Sequence, residues 1–266
     1  MLHHVRSKAL AMRRSRIQPG SKIMSTRALF REDAYLTRCE AIVTVIDEQG
    51  IHLDQTVFYP PGGGQAGDAG RLTLADGTSI AIADTRKAKF EGATPDDAVH
   101  VPALDQEEAL AQMKVGDRVS VEIDWARRYR HMRLHTASHL ICAVLPYPVD
   151  GCSITTDYAR LDLATVEPIE RETVEAKLNE LIGGAHDVHT EWITDDEMAE
   201  RPELVRTMSV KPPMGLGCVR LLRIENVDLQ PCGGTHVRNT GELGGLRIAK
   251  LEKKSARTRR LVLELP

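Results

Sequence analysis

Aromatic side chains are scarce in this chain: three Phe, five Tyr and two Trp among 266 residues. Its core must therefore be mostly aliphatic, and any nucleic-acid binding must rest on phosphate contacts, since base stacking needs aromatic platforms. No apolar run approaches the roughly 18 residues needed for a membrane-crossing helix, so a membrane partner is not expected. The five cysteines, Cys39, Cys142, Cys152, Cys218 and Cys232, are odd in number and scattered. They form no disulfide framework and fit a reducing cytoplasm, where a Cys near His is a metal-ligand candidate. Internal repeats and low-complexity tracts are absent as well.

What is present is a composition of 42% hydrophobic residues with charges of both signs and a net charge of −3, which describes a globular chain. The first 23 residues hold six basic residues (Arg6, Lys8, Arg13, Arg14, Arg16, Lys22) and no acid. Setting those six charges aside leaves −9 for the remainder. Residues 1–23 read as a disordered basic leader, with Met24 as an alternative start. An Arg-rich, acid-free transit peptide is the other reading, and a secretory signal is excluded because no continuous apolar segment exists.

Residues 24–126 show short β-like runs separated by turn signals: Ala41–Asp47, Ile51–Val57, Arg71–Leu74, Ser79–Ala83 and Arg118–Ile123. A helix is expected over Asp105–Lys114, and Glu91–Pro95 as an exposed loop. This part reads as a small β-barrel-like domain. Residues 127–266 mix element types. Leu134–Leu145 and Glu170–Ile182 carry apolar residues at helical spacing. Thr194-Asp-Asp-Glu197 is a capping box opening a short helix that Pro202 curtails. Val219–Ile224, Leu246–Leu251 and Leu261–Leu265 read as strands. Without β-α-β alternation, the class is α+β.

Two pieces nearly a hundred residues apart carry metal-binding side chains four positions apart: His135-Thr-Ala-Ser-His139 and Cys232-Gly-Gly-Thr-His236. On a helix, His135 and His139 share a face one turn apart. Gly233 and Gly234 permit a turn that aims Cys232 and His236 back at them. Three imidazoles and one thiolate suit one zinc ion, whereas a lone buried His is more often a hydrogen-bonded core residue. Cys142 lies on the same helical face as His135 and reads as a small buried thiol. Thr136 occupies the place where a metalloprotease helix carries its Glu base, and it cannot accept a proton from water at neutral pH. A zincin peptidase is therefore not expected, and four protein ligands ordinarily make a closed, structural site.

A glycine-rich segment, Thr56–Gly70, includes Gly62-Gly-Gly-Gln65. It is neither a P-loop nor a dinucleotide fingerprint, so no nucleotide cofactor is expected. Its backbone N–H groups suit an anion or a close approach to another surface. A plain hairpin loop is the alternative, for which Gln65 and Asp68 are unusual. Arg127, Arg128, Arg130 and Arg133 precede the first histidine. Lys250, Lys253, Lys254, Arg257, Arg259 and Arg260 cluster near the C-terminus. In a net acidic chain these suggest a polyanion partner, against a solvated charged face as the alternative.

These segments, in this order, resemble the alanyl-tRNA editing family, the free-standing AlaX-type proteins related to the editing domain of alanyl-tRNA synthetase. The matching residues run from the Thr56–Gly70 loop through Arg133-Leu-His-Thr-Ala-Ser-His-Leu140 to Gln230-Pro-Cys-Gly-Gly-Thr-His-Val-Arg-Asn-Thr-Gly241. The resemblance covers Leu29 to the C-terminus and is to the medium-length form. It implies a zinc-containing esterase that hydrolyses mischarged tRNA(Ala), chiefly the seryl and sometimes the glycyl ester, with the acceptor end of tRNA(Ala) as partner. Carried onto this chain, it places zinc on His135, His139, Cys232 and His236 within an editing domain over residues 127–266. It puts Gln65 at the border of the editing pocket, and Gln65 and Thr136 are taken as the catalytic candidates. Gly62, Gly63, Gly64, Thr155 and Thr156 become the substrate-binding candidates. Ala66 stands where the family often has Pro. A cytoplasmic monomer is expected. The competing readings are a non-catalytic zinc-containing tRNA-binding module and a metallohydrolase of small esters.

Overall fold

The computed structural model describes residues 25–206 and 217–266; the expected leader and Met24 lie outside the described residues. Elements follow the order β1 (Arg27–Ala28), α1 (Leu29–Glu32), β2 (Arg38–Ile46), β3 (Ile51–Leu53), β4 (Gln55–Thr56), β5 (Gly70–Leu74), β6 (Ser79–Lys87), β7 (Ala98–Pro102), α2 (Glu107–Gln112) and β8 (Arg118–Ile123). Strands β2, β3, β7, β6, β5 and β8 close into a barrel in that order. The period-2 pattern fills it. In β8, Val119, Val121 and Ile123 are buried, and Arg118, Ser120 and Glu122 alternate with them. Leu72, Ile80, Val43 and Phe58 complete this core, and the barrel expected from the sequence is the one observed.

Two details differ within the barrel. The run expected over Ile51–Val57 breaks at Asp54. There the chain leaves the barrel, and Gln55 and Thr56 pair in parallel with Arg27 and Ala28. Asp54 fixes the break, its carboxylate accepting from Ile42 N at 2.7 Å and its carbonyl from Arg27 N at 2.8 Å. The helix expected over Asp105–Lys114 is shorter, because Asp105 adopts φ 60° before it and Met113 is extended after it.

The second part comprises α3 (Trp125–Val144), β9 (Val149–Ile154), β10 (Tyr158–Ala164), α4 (Arg171–Gly183), β11 (Val188–Thr194), α5 (Asp195–Ala199), β12 (Cys218–Ile224), β13 (Asp228–Pro231), β14 (Arg247–Ser255) and β15 (Thr258–Glu264). A four-stranded sheet of order β14-β15-β10-β9 supports α3 and α4. A separate three-stranded sheet has the order β11-β12-β13. Leu134, Leu140 and Ile141 of α3, Leu161 and Leu163 of β10 and Leu261 and Leu263 of β15 share one core. The α+β class is thus observed.

Helix α3 begins nine residues before its expected start at Leu134. Asp124 caps it, accepting from Arg127 N at 3.0 Å. Its arginine-rich first half is partly internal: of the four arginines expected as a surface cluster, Arg128 is taken out of it and the other three are half-buried. Arg128 is fully buried and ion-paired with Asp68, also fully buried. Arg127 donates to Gly67 O at 3.0 Å, Arg130 to Thr156 O at 2.8 Å and Arg133 to Leu243 O at 3.1 Å. Helix α5 carries the expected capping box, with Thr194 Oγ1 accepting from Glu197 N at 3.1 Å.

Candidate functional site

The buried ion pair explains the shape of the glycine-rich loop. Asp68 Oδ2 accepts from Tyr59 N at 2.7 Å, Asp68 N donates to Tyr59 O at 3.1 Å, and Arg128 crosses from α3 to clamp the carboxylate. Inside this frame Gly62 and Gln65 exchange backbone hydrogen bonds at 3.0 and 3.1 Å. Gly63 and Gly64 have φ of 60° and 83°, the left-handed region that side chains disfavour. Ile154 N donates to Gly64 O at 2.7 Å and Ala66 N to Ile154 O at 3.0 Å, which lays the loop along β9.

Helix α3 presents His135 and His139, and the segment after β13 presents Cys232 and His236. The four ligand atoms lie within 4.8 Å of one another, and all four residues are buried. Cys232 Sγ lies 3.5 Å from His135 Nε2 and 3.2 Å from His236 Nε2. An ion held tetrahedrally at zinc-like bond lengths needs N···S edges of roughly 3.5 Å. The donor set and its spacing therefore fit a metal ion with modest adjustment.

Electrostatics favour the metal-ready form of the cysteine. Burial alone would raise the Cys232 thiol, but His135, His236 and His139 outweigh it and hold it well below the usual thiol range. Gly234 N also donates to its sulfur at 3.4 Å. Burial would lower His139, but the Cys232 sulfur and the Asp228 carboxylate overcome it and push the imidazole up to about 9.

Each ring is oriented from behind. Gln65 Oε1 accepts from His135 Nδ1 at 2.8 Å and from Thr235 N at 3.1 Å, while Gln65 Nε2 donates to Thr235 Oγ1 at 2.8 Å. Thr136 Oγ1 lies 3.2 Å from His236 Nδ1 and accepts from Val237 N at 3.3 Å. Asp228 Oδ2 stands 3.7 Å from His139 Nδ1. Gln65 and Thr136, expected as catalytic residues, thus sit against the backs of the rings, and neither lines the adjoining cleft. There they contact the imidazoles of His135 and His236 and not the cleft. Asp228 had not been expected. Its one signal in the sequence is strand alternation, which puts it on the face of Gln230, four residues before Cys232.

Gly234 matters for contact rather than for turn geometry. A Cβ there would fall 2.1 Å from His135 Cε1, so only glycine lets the loop lie on the ring. Two arginines tie this loop down. Arg220 Nη1 donates to Cys232 O at 2.7 Å and Gly234 O at 3.0 Å, and Arg31 from α1 donates to Gly233 O. No sequence pattern links Arg31 to a residue 202 positions away.

His135, His139 and Cys232, with Ser138, form part of the wall of an open cleft of ≈ 980 Å³. Gly62, Gly63 and Gly64 line it, and Thr155 and Thr156 do not. Thr155 Oγ1 closes the β9–β10 turn, accepting from Tyr158 N at 3.2 Å, and Thr156 Oγ1 accepts from Arg127 Nη1 at 3.3 Å. Cys142 lines the cleft, and burial pushes its thiol up to about 12.

Replacing Gln65 with Ala should leave the His135 ring free to turn and weaken metal affinity about 10- to 100-fold. Competition with a chromophoric chelator measures this; unchanged affinity would show that Gln65 does not set the ligand.

Residues 219–262 match the family described as "Threonyl and Alanyl tRNA synthetase second additional domain", and residues 21–127 match "tRNA synthetases class II (A)". The chain is 36% identical over 249 residues to the "Alanyl-tRNA editing protein AlaX-M" of Methanosarcina mazei, covering 90% of this chain and 96% of that one. It is equally similar to the protein of the same name from Methanosarcina acetivorans, covering 99% of its length. It is 33% identical over 244 residues to the "Alanine--tRNA ligase" of Metallosphaera sedula, of which it covers 25%.

Proposed function

Because the chain belongs to the family of alanyl-tRNA editing proteins, we propose that it is a trans-editing deacylase hydrolysing the ester of mischarged tRNA(Ala), seryl first and glycyl second. The observation that carries this reading is the cleft wall: three of the four metal-ligating residues border open space instead of being sealed in a core. The ion is one zinc, as three imidazoles and a thiolate favour. When bound it supplies a Lewis-acid centre at the cleft wall.

The chain's own residues do the rest. Gln65, Thr136 and Asp228 fix the ligand rings, and the Gly62–Gly64 backbone, lying beside the His135 ring, borders the space for a small aminoacyl group. Ser138 takes the place expected of Thr155 and Thr156. It lines the cleft, and its Oγ donates to Leu134 O at 2.8 Å, leaving lone pairs to accept from a substrate hydroxyl. Cognate alanine has no such hydroxyl. In this reading residues 24–126 serve as a barrel platform and 127–266 as the editing unit, acting as a cytoplasmic monomer without a nucleotide cofactor. Among the described residues no helix is long and apolar enough to cross a membrane.

Deacylation of Ser-, Gly- and Ala-tRNA(Ala) measured side by side tests the proposal. A site that hydrogen-bonds the hydroxyl should prefer the seryl over the alanyl ester by a factor on the order of 10⁴; the glycyl ester, which also lacks the hydroxyl but is smaller than alanyl, reports how far size alone admits a substrate. Equal rates on all three would remove the editing assignment. Equal activity on seryl esters lacking the tRNA body would favour a small-ester hydrolase.

A further inference from the structure

Beside the His135–His139–Cys232–His236 cluster, the cleft carries a second feature. Trp192 on the edge strand β11 is 57% exposed, lines the cleft, and has no ring or cation packed on it among the described residues. Of the two tryptophans in the chain, this is the one that borders the cleft.

Its position is set by register. Trp192 pairs directly with Arg220 of β12, and Arg220 O accepts from Cys232 N at 3.1 Å. Indole, guanidinium and metal-ligating sulfur thus form one transverse row across adjacent strands. Two strand spacings, about 10 Å, separate Trp192 from Cys232, a span that one aminoacylated nucleoside covers. Alternation completes the arrangement. Val219 and Leu221 are buried with Met198 and Leu204 on one face of the sheet, and Trp192, Arg220 and Cys218 line the cleft on the other.

Cations outnumber carboxylates along the cleft: Arg31, Lys87, Arg160, Arg206 and Arg220 against Glu32, Asp96 and Asp150. Lys87 and Arg160 have no carboxylate partner among the described residues, and Arg160 Nε is buried without a hydrogen bond, while Arg220 Nη1 is held by the Cys232 and Gly234 carbonyls. Arg206 is partly neutralised by Asp228 at 3.4 Å. An aromatic face in a cleft where cations outnumber carboxylates is an arrangement that suits single-stranded nucleic acid.

We propose that Trp192 is the stacking platform for the 3′-terminal adenine of the tRNA, and that the cations around it receive the phosphates of the last nucleotides. This rests on the deacylase reading for the identity of the ligand, and it revises the expectation that binding uses phosphate contacts alone.

The test uses the metal-loaded full chain in two measurements. With Trp125→Phe, Trp192 becomes the sole tryptophan, and its fluorescence is titrated with the trinucleotide CCA and with CCA lacking the terminal base. Quenching by CCA and not by the abasic form is expected. In steady-state deacylation of Ser-tRNA(Ala), Trp192→Ala should raise KM roughly 5- to 100-fold, the effect of losing one base–aromatic stack, with kcat little changed. Trp192→Phe should recover most of the loss. Quenching without hydrolysis of any aminoacyl-tRNA would leave the platform standing and remove the deacylase reading. Hydrolysis with an unchanged KM in Trp192→Ala, or equal quenching by the abasic form, would overturn the platform while leaving the deacylase reading intact.

Discussion

Replacing Cys232 with Ala should abolish stoichiometric metal binding and, with it, deacylation. Cys232 is the one anionic donor in the cluster and lies 3.5 and 3.2 Å from two of its imidazoles. The imidazoles around it outweigh its burial and hold its thiol well below the usual range, which favours the thiolate that a metal needs. Structural zinc sites with four ligands bind with roughly 10–16 kcal/mol. A quarter of that, about 3 kcal/mol, is more than a hundredfold in affinity. Elemental analysis of the purified variant and chelator competition read the metal directly. Circular dichroism shows whether the fold survives. A variant that keeps one metal per chain would refute the ligand set.

Arg128→Ala should lower stability by about 3–5 kcal/mol, because it leaves a buried carboxylate without its cation. Arg128 and Asp68 are both fully buried. The guanidinium also donates to Ala34 O at 2.8 Å and Val57 O at 2.7 Å. One side chain therefore joins α3, the barrel and the glycine-rich loop. Denaturant unfolding followed by circular dichroism measures the loss. A double variant with Asp68→Asn should recover part of it, since the uncompensated charge is then gone. A loss under about 1 kcal/mol would mean that the pair is not what holds the loop on the helix.

The contrast between these two predictions shows what local pattern conveys. His135 and His139 were legible because helical spacing alone puts them on one face, and Cys232 and His236 because two ligands recur at matching separation. The barrel was legible because strands such as β8 alternate strictly. Arg128 was misread because an arginine run on a helix looks like a solvated face, and its partner Asp68 lies 60 residues away. Strands β9 and β10 were missed for a related reason. Val149-Asp-Gly-Cys-Ser-Ile154 is poor in strand-forming residues, and its geometry comes from pairing with β10 and from the Gly64 and Ala66 backbone. Strand β11 is an exposed edge whose alternation reports one buried face of a small sheet.

The roles of Gln65 and Thr136 divide along the same line. Their residue types and their place in the motifs were informative, but what they touch was not. The structure sets Gln65 on the Nδ1 side of His135 and Thr136 on the Nδ1 side of His236. Both nitrogens that face the thiolate are thereby fixed by neighbours that never border the cleft.

The central claim, a metal-dependent deacylase at the His135–His139–Cys232–His236 cluster, is most directly tested by titrating zinc into metal-free protein and following release of serine from Ser-tRNA(Ala). Activity should rise linearly and break at one zinc per chain. Protein fully loaded with zinc that releases no serine, or activity that is the same with and without metal, would contradict it.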